Sequence, residues 1–232
     1  MSTRGKSILH LAALLAPVVL TAVALLASTI PARRAALPAA AGIGLATTAA
    51  DVRRIAASGK KVALMGMENG YALGHDLARL DAAYARGARY LGLVHVGNND
   101  LCGSSAPDAK RGDVPNLGLT PFGRQVVARA NALGIMLDVS HASDACIADM
   151  LSASTAPLIA SLSSARALVA HPRNLSDDQL RALAARGGVA QAVAYKEFVK
   201  VDPGRAKAEE GLQEQVAKAA GDARWDSEKH GF

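Results

Sequence analysis

Five short apolar runs, separated by segments long enough for a helix, set the strongest limit on how this chain folds. They are Lys61 to Met67 (KVALMGM), Tyr90 to Val96 (YLGLVHV), Ile135 to Val139 (IMLDV), Pro157 to Ala160 (PLIA) and Gly188 to Tyr195 (GVAQAVAY). Their apolar residues run on rather than alternate, the pattern of strands covered on both faces. The segments between them carry helix punctuation. Thr120-Pro121 sets an N-cap before a proline at the first helical position, and the helix runs on to Gly134. Ser143 followed by Asp144 opens a second helix, with the acid in its first turn. Ser176-Asp177-Asp178 opens a third, which Gly187-Gly188 closes. Asp76 to Arg86 carries Leu77, Leu80 and Tyr84 at helical spacing, with Gly87 behind it. This alternation predicts an α/β fold with a parallel sheet. A doubly wound sheet and a (β/α)8 barrel both satisfy it.

Ahead of that pattern, Arg4 and Lys6 precede an almost wholly apolar run from Ile8 to Ile30, interrupted by His10, Pro17 and Thr21. A signal-peptide core runs to about 15 residues and a membrane span to about 20. Small residues at Ala27-Ser28, Ala32 and Ala39 to Ala41 offer cleavage sites. Residues 1–30 are therefore expected to be a signal peptide or membrane anchor, an apolar targeting helix that packs poorly on the rest. The chain is expected to be exported: periplasmic, extracellular or membrane-anchored, with membrane contact through residues 8–30. Residues 31–50, rich in Ala, Gly and Pro, read as a linker, 51–200 as the α/β body, and 201–232 as a polar, largely helical tail.

The formal charge is +6, and its placement excludes a class of function. Eight of the 26 Lys and Arg lie at or before Lys61, against one acid, Asp51. The remainder, with 18 Lys and Arg and 19 Asp and Glu, is close to neutral. A nucleic-acid binder carries its basic excess on the folded domain, so no nucleic-acid partner is expected. Two cysteines, Cys102 in a loop and Cys146 in a helix, can pair in an exported protein, and the sequence leaves that open.

Polar residues gather at the C-terminal ends of four of the five runs. Glu68 and Asn69 follow the first. His95 closes the second, with Asn98, Asn99 and Asp100 behind it. Asp138, Ser140 and His141 end the third, and Ser161, Ser163 and Ser164 follow the fourth. Barrel enzymes hold their catalytic groups at such strand ends. Glu, His, Asp and His arriving in succession point to a metal or acid–base site.

These residues also carry a resemblance. Gly66 to Gly70 (GMENG), Ala83 to His95 (AYARGARYLGLVH), Gly118 to Arg124 (GLTPFGR), Leu137 to Ser143 (LDVSHAS), the run APLIASLSSARAL and His171-Pro172-Arg173-Asn174 are similar in order and spacing to the membrane (renal) dipeptidase family of zinc metallopeptidases. The similarity covers roughly Asp51 to Lys200. It implies a (β/α)8 TIM barrel holding two zinc ions bridged by one glutamate, matched by Glu68. It implies that His141 is a ligand of the second zinc. By the same resemblance His95 binds the substrate and steadies the oxyanion, and Arg173 binds the substrate's terminal carboxylate. The substrate implied is a dipeptide, cleaved at its peptide bond.

The sequence departs from the family at three places. The family's first strand carries a His-x-Asp pair for the first zinc, and no His-x-Asp occurs in this chain. The second histidine ligand of the second zinc sits in a Ser-His-Ser-Ser-Ala run, which here reads Ser161-Leu162-Ser163-Ser164-Ala165, so Leu162 occupies a lost ligand position. The aspartate of a Gly-Ser-Asp-Phe-Asp-Gly strand has no counterpart here. By the family's layout about five of eight strands are present, three to seven, a partial barrel truncated at both ends. The expectation is a zinc dipeptidase by descent whose metal site and activity are impaired or lost. The alternatives are a non-catalytic exported remnant that binds peptides or a partner, and a gene fragment without function. Oligomeric state is not legible.

The N-terminal reading predicts that the full-length precursor fractionates with membranes or the exported pool. Fractionation by immunoblot checks this, and a full-length precursor soluble in the cytoplasm would contradict it.

Overall fold

The structure, a computed structural model, describes residues 20–23, 42–200, 204, 207–208, 210–212 and 214–215. The strands are β1 (Leu20–Val23), β2 (Ile43–Leu45), β3 (Lys61–Glu68), β4 (Ala88–Gly92), β5 (Met136–Asp138), β6 (Leu158–Ser163) and β7 (Val189–Ala192). The helices are α1 (Ala49–Ala57), α2 (Leu77–Ala85), α3 (Pro121–Leu133), α4 (Asp144–Ala153), α5 (Asp177–Ala185) and α6 (Lys196–Val199). Every strand pairing in the sheet is parallel, in the order β1-β3-β4-β5-β6-β7, with β2 also on β3. From β3 onward each crossover carries a helix, and the sheet curls into a half-barrel.

The helix signals in the sequence act as local chemistry requires. The Thr120 hydroxyl accepts from the Gly123 N–H at 2.9 Å, with Pro121 opening α3 and Gly134 closing it at φ 74°. The Ser143 hydroxyl caps α4 through the Cys146 N–H at 3.0 Å. Ser176 and Gln179 form a reciprocal capping box on α5. Leu91, Leu137 and Leu158, central to β4, β5 and β6, are buried in one cluster with Val126, Val127, Ile147, Met150 and Leu183 from the covering helices. Each such side chain contributes about 1.5–3 kcal/mol by leaving water. The core is aliphatic because the chain carries only 3% aromatic residues. One of those few, Tyr90, lies over Gly66, where any Cβ would collide with its ring.

Three expectations meet a different structure. Leu20–Val23, inside the run expected to be a targeting helix, is extended and pairs in parallel with Ala63 to Gly66 of β3. The rest of the run from Ile8 to Ile30 lies outside the described residues, and no described helix is long and apolar enough to cross a membrane. Within the stretch read as linker, Ile43–Leu45 forms β2 against β3, and Thr48 caps α1 through a box with Asp51. A small cluster of Ala46, Ile55 and Val62 buries that helix on the strand, a tertiary contact that an Ala/Gly-rich composition hides. The strand expected at Tyr90 to Val96 ends at Gly92, so His95 stands in the loop beyond it.

Cys102 and Cys146 are joined by a disulfide, with Cα atoms 6.0 Å apart and both residues fully buried. The bond ties the long β4–α3 loop to α4. It spans 44 residues, for which the chain-entropy relation gives about 4 kcal/mol. Cys146→Ser, or thermal unfolding in reductant, is expected to lower Tm by about 10 °C; calorimetry with and without reductant checks it.

Candidate metal centre

Parallel strands all finish on one side of a sheet, so groups at their C-terminal ends share a mouth. Glu68 is the last residue of β3. His95 lies three residues past the end of β4, and His141 three past the end of β5. Their ligand atoms all lie within 4.8 Å of one another, and they are the one such group of three among the described residues. His141 Nε2 donates to Glu68 Oε1 at 3.1 Å, and His95 Nε2 stands 4.0 Å from the same oxygen. The two imidazole rings lie 4.1 Å apart, centre to centre.

The backbone at this mouth is held in conformations that side chains seldom adopt. Asn69 sits at φ 75° and His141 at φ 68°. The left-handed region disfavours ordinary residues by about 1–2 kcal/mol each. The β4–α3 loop supplies the compensation. Asn69 Oδ1 accepts from the Tyr71 N–H and from Asn99 Nδ2, at 3.1 and 3.0 Å. The Ser105 N–H donates to the His141 carbonyl at 2.8 Å, and the Ser104 hydroxyl donates to the His95 carbonyl at 2.5 Å. The β4–α3 loop therefore fixes the backbone of both histidines, and the disulfide at Cys102 anchors it.

Electrostatics prepare the cluster for a cation. Glu68 is held below its usual carboxylate range, chiefly by the hydrogen bond from His141 and then by the charges of His141, His95 and Arg173, against the opposing effect of burial. His141 is also lowered, first by burial, with the Glu68 hydrogen bond working the other way. At neutral pH the pair is a carboxylate beside a neutral imidazole, the protonation state that binds metal. His141 Nδ1 is buried without a hydrogen-bond partner. One carboxylate and two imidazoles facing a common point fit a zinc ion with an open position.

Beside the cluster runs a polar network centred on Asp138, a strand-end donor that the structure leaves outside the three-residue group. Asp138 is only 4% exposed. It accepts from the Ser140 N–H at 2.9 Å, from the Ser161 N–H at 3.1 Å, and from the Ser161 hydroxyl. The Ser140 hydroxyl accepts from the Leu162 N–H at 3.1 Å, and the Leu162 carbonyl accepts from Arg173 Nη2 at 3.0 Å. Arg173 is lowered to about 10 by burial, against the favourable charges of Asp138 and Glu68. It remains a cation at neutral pH, facing the same mouth. The DVSH run held the signal for Asp138, since a carboxylate ending a buried strand must find partners. His75 pairs with Asp100 at 3.4 Å and packs on Phe122, apart from the three-residue cluster. Leu162 occupies β6 and offers the site no donor atom.

Fold and site together define a class: a parallel α/β half-barrel with a candidate metal-binding group of one Glu and two His at its C-terminal mouth. The sequence model of the membrane dipeptidase family, peptidase family M19, matches residues 22–222. The chain belongs to that family. It is 37% identical over 165 residues to the dipeptidase tcpJ of Claviceps purpurea, covering 71% of this chain and 38% of that protein. An uncharacterized dipeptidase of Schizosaccharomyces pombe is 36% identical over 143 residues, 62% of this chain and 34% of its own length. Among solved structures, the probable dipeptidase PvdM from Pseudomonas aeruginosa superposes with a TM-score of 0.68 at 38% identity, over 75% of this chain and 44% of that one. A metallo peptidase from Rhodobacter sphaeroides, liganded with a phosphinate mimic of the dipeptide L-Ala-D-Ala, gives 0.58 at 32% identity, over 65% and 43%. The chain thus spans about a third of the length of the curated relatives it matches.

Both Glu68 and His141 are lowered in the folded state. In each case the folded chain binds fewer protons than the unfolded chain between the two pKa values, so stability rises with pH there. The metal-free protein is therefore expected to lose stability as pH falls below about 6.5 through the His141 range, and again through the Glu68 range below about 4.5. His141→Asn should reduce the first phase, leaving the share of His171, which burial also lowers. Melting temperature against pH, in chelator, checks both.

Proposed function

We propose that this mouth is a zinc-dependent dipeptidase site, and that the 232-residue chain as it stands carries it in impaired form. The observation that supports the reading best is the convergence of Glu68, His95 and His141 within 4.8 Å, beside the buried cation Arg173. Glu68 and His141 would hold the ion, which supplies Lewis acidity and an activated water at neutral pH. A guanidinium pulled out of water gains most from a bidentate anionic partner, and a dipeptide's terminal carboxylate is one. Arg173 would thus orient the substrate, with Asp138 fixing it indirectly through Ser161 and Leu162. By the resemblance, His95 would steady the oxyanion. The Rhodobacter sphaeroides relative was solved with a dipeptide mimic, which agrees with this substrate class. We further propose export directed by the apolar N-terminal run.

The impairment rests on Leu162, which puts an apolar side chain where the family's pattern has an imidazole. A non-catalytic peptide-binding role is the second reading, favoured by the same Leu162 together with the retained Arg173.

Leu162→His is expected to raise zinc affinity by more than about 10–100-fold, the range lost when even an outer partner of a ligand is removed. It should also raise zinc-dependent dipeptide hydrolysis. Zinc titration and a dipeptide hydrolysis assay with and without chelator check it. Efficient hydrolysis by the unsubstituted chain would remove the impairment. Hydrolysis that survives chelation would remove the zinc reading.

A further inference from the structure

We propose that in this chain His95 is itself a metal ligand, completing with Glu68 and His141 a three-ligand site for one divalent zinc-like ion. The inference deepens the metal reading above and does not depend on peptide hydrolysis. It gives His95 a different task from the one the resemblance implies.

Geometry carries the argument. In a tetrahedral zinc site, bonds of about 2.0–2.2 Å put neighbouring ligand atoms roughly 3.3–3.5 Å apart. The His141 Nε2 to Glu68 Oε1 distance, 3.1 Å, already lies close to that separation. His95 Nε2 to Glu68 Oε1, at 4.0 Å, needs a shift of under about 1 Å. The His95 side chain can make it. It is 44% exposed, whereas that of His141 is 11% exposed and fixed. Its backbone does not drift, because the Ser104 hydroxyl holds its carbonyl. A fourth position would remain for water.

Chemistry supplies the reason for the change of role. The Glu68 and His141 pair alone leaves a divalent ion short of the three protein ligands of an open zinc site. Leu162, next in space along the sheet on β6, gives no lone pair. The remaining imidazole of the group is His95, whose ring lies 4.1 Å from that of His141. An imidazole that spends its lone pair on the metal can no longer donate from that nitrogen to an oxyanion. Ligation by His95 would therefore also weaken any hydrolysis at this site.

The test is X-ray absorption spectroscopy of the full chain loaded with less than one equivalent of zinc, counting imidazole ligands per ion. Two imidazoles are expected in the unsubstituted chain and one in His95→Ala, with affinity lower by more than about 100-fold. The double variant His95→Ala with Leu162→His should return the count to two. One imidazole in the unsubstituted chain, a count unchanged by His95→Ala, or failure of the folded chain to retain zinc each overturns the proposal. If His95→Ala does not fold, the count in the unsubstituted chain decides alone. Two imidazoles without dipeptide hydrolysis would leave this inference standing and remove the enzymatic reading. Hydrolysis with a single imidazole would do the reverse.

Discussion

Parallel strands end together, and the rest of the molecule follows from that constraint. The backbone ladder from β3 to β7 fixes neighbouring strands in register, so their C-terminal ends form one rim. Burying both faces of such a sheet requires a helix at each crossover, and the caps at Thr120, Ser143 and Ser176 start those helices just beyond the rim loops. Glu68, His95, His141, Leu162 and Arg173 are thereby brought to one place from positions spread over more than a hundred residues. No one of them has a neighbour in sequence that would bring it there.

The rim is made usable by the β4–α3 loop. Asn98 and Asn99 organise it through their side-chain amides, Asn98 Oδ1 receiving the Ser104 N–H and Asn99 Oδ1 receiving the Leu101 and Cys102 N–H groups. The loop then grips the His95 and His141 carbonyls, and the disulfide secures it to α4. A histidine at positive φ is sustained only where the surroundings hold it there, and this loop does so. The cysteines thus act on the site at one remove. They close the segment whose hydrogen bonds hold the His95 and His141 carbonyls.

The electrostatic character of the mouth is mixed in a way that suits a metallohydrolase. Two anions, Glu68 and Asp138, share it with the Arg173 cation and two imidazoles. Asp138 is spent on backbone and hydroxyl donors, leaving Glu68 as the carboxylate available to an ion. Arg173 gives one N–H to the Leu162 carbonyl and keeps its charge towards the mouth. This division of labour between the two carboxylates comes from which one the peptide N–H groups of Ser140 and Ser161 can reach.

The sequence by itself determined the α/β class, four of the main helices to within a residue or two, and the candidate donors Glu68, His95, His141 and Arg173. Apolar runs, caps and strand-end polar residues are local signals, set by side-chain type and period alone. It also carried the family pattern and the substitution at Leu162. Only the tertiary structure decided the rest. β1 and β2 are strands because β3 offers them a free edge, a partner that an Ala-rich stretch cannot announce. Cys102 and Cys146 pair because α4 packs against the β4–α3 loop. Asp138 turns to structure because hydrogen-bond donors from a neighbouring strand reach it, which leaves Glu68 beside the two imidazoles. Distances between side chains depend on contacts far apart in the chain, so the approach of the His95 nitrogen to Glu68 became legible only in the folded chain.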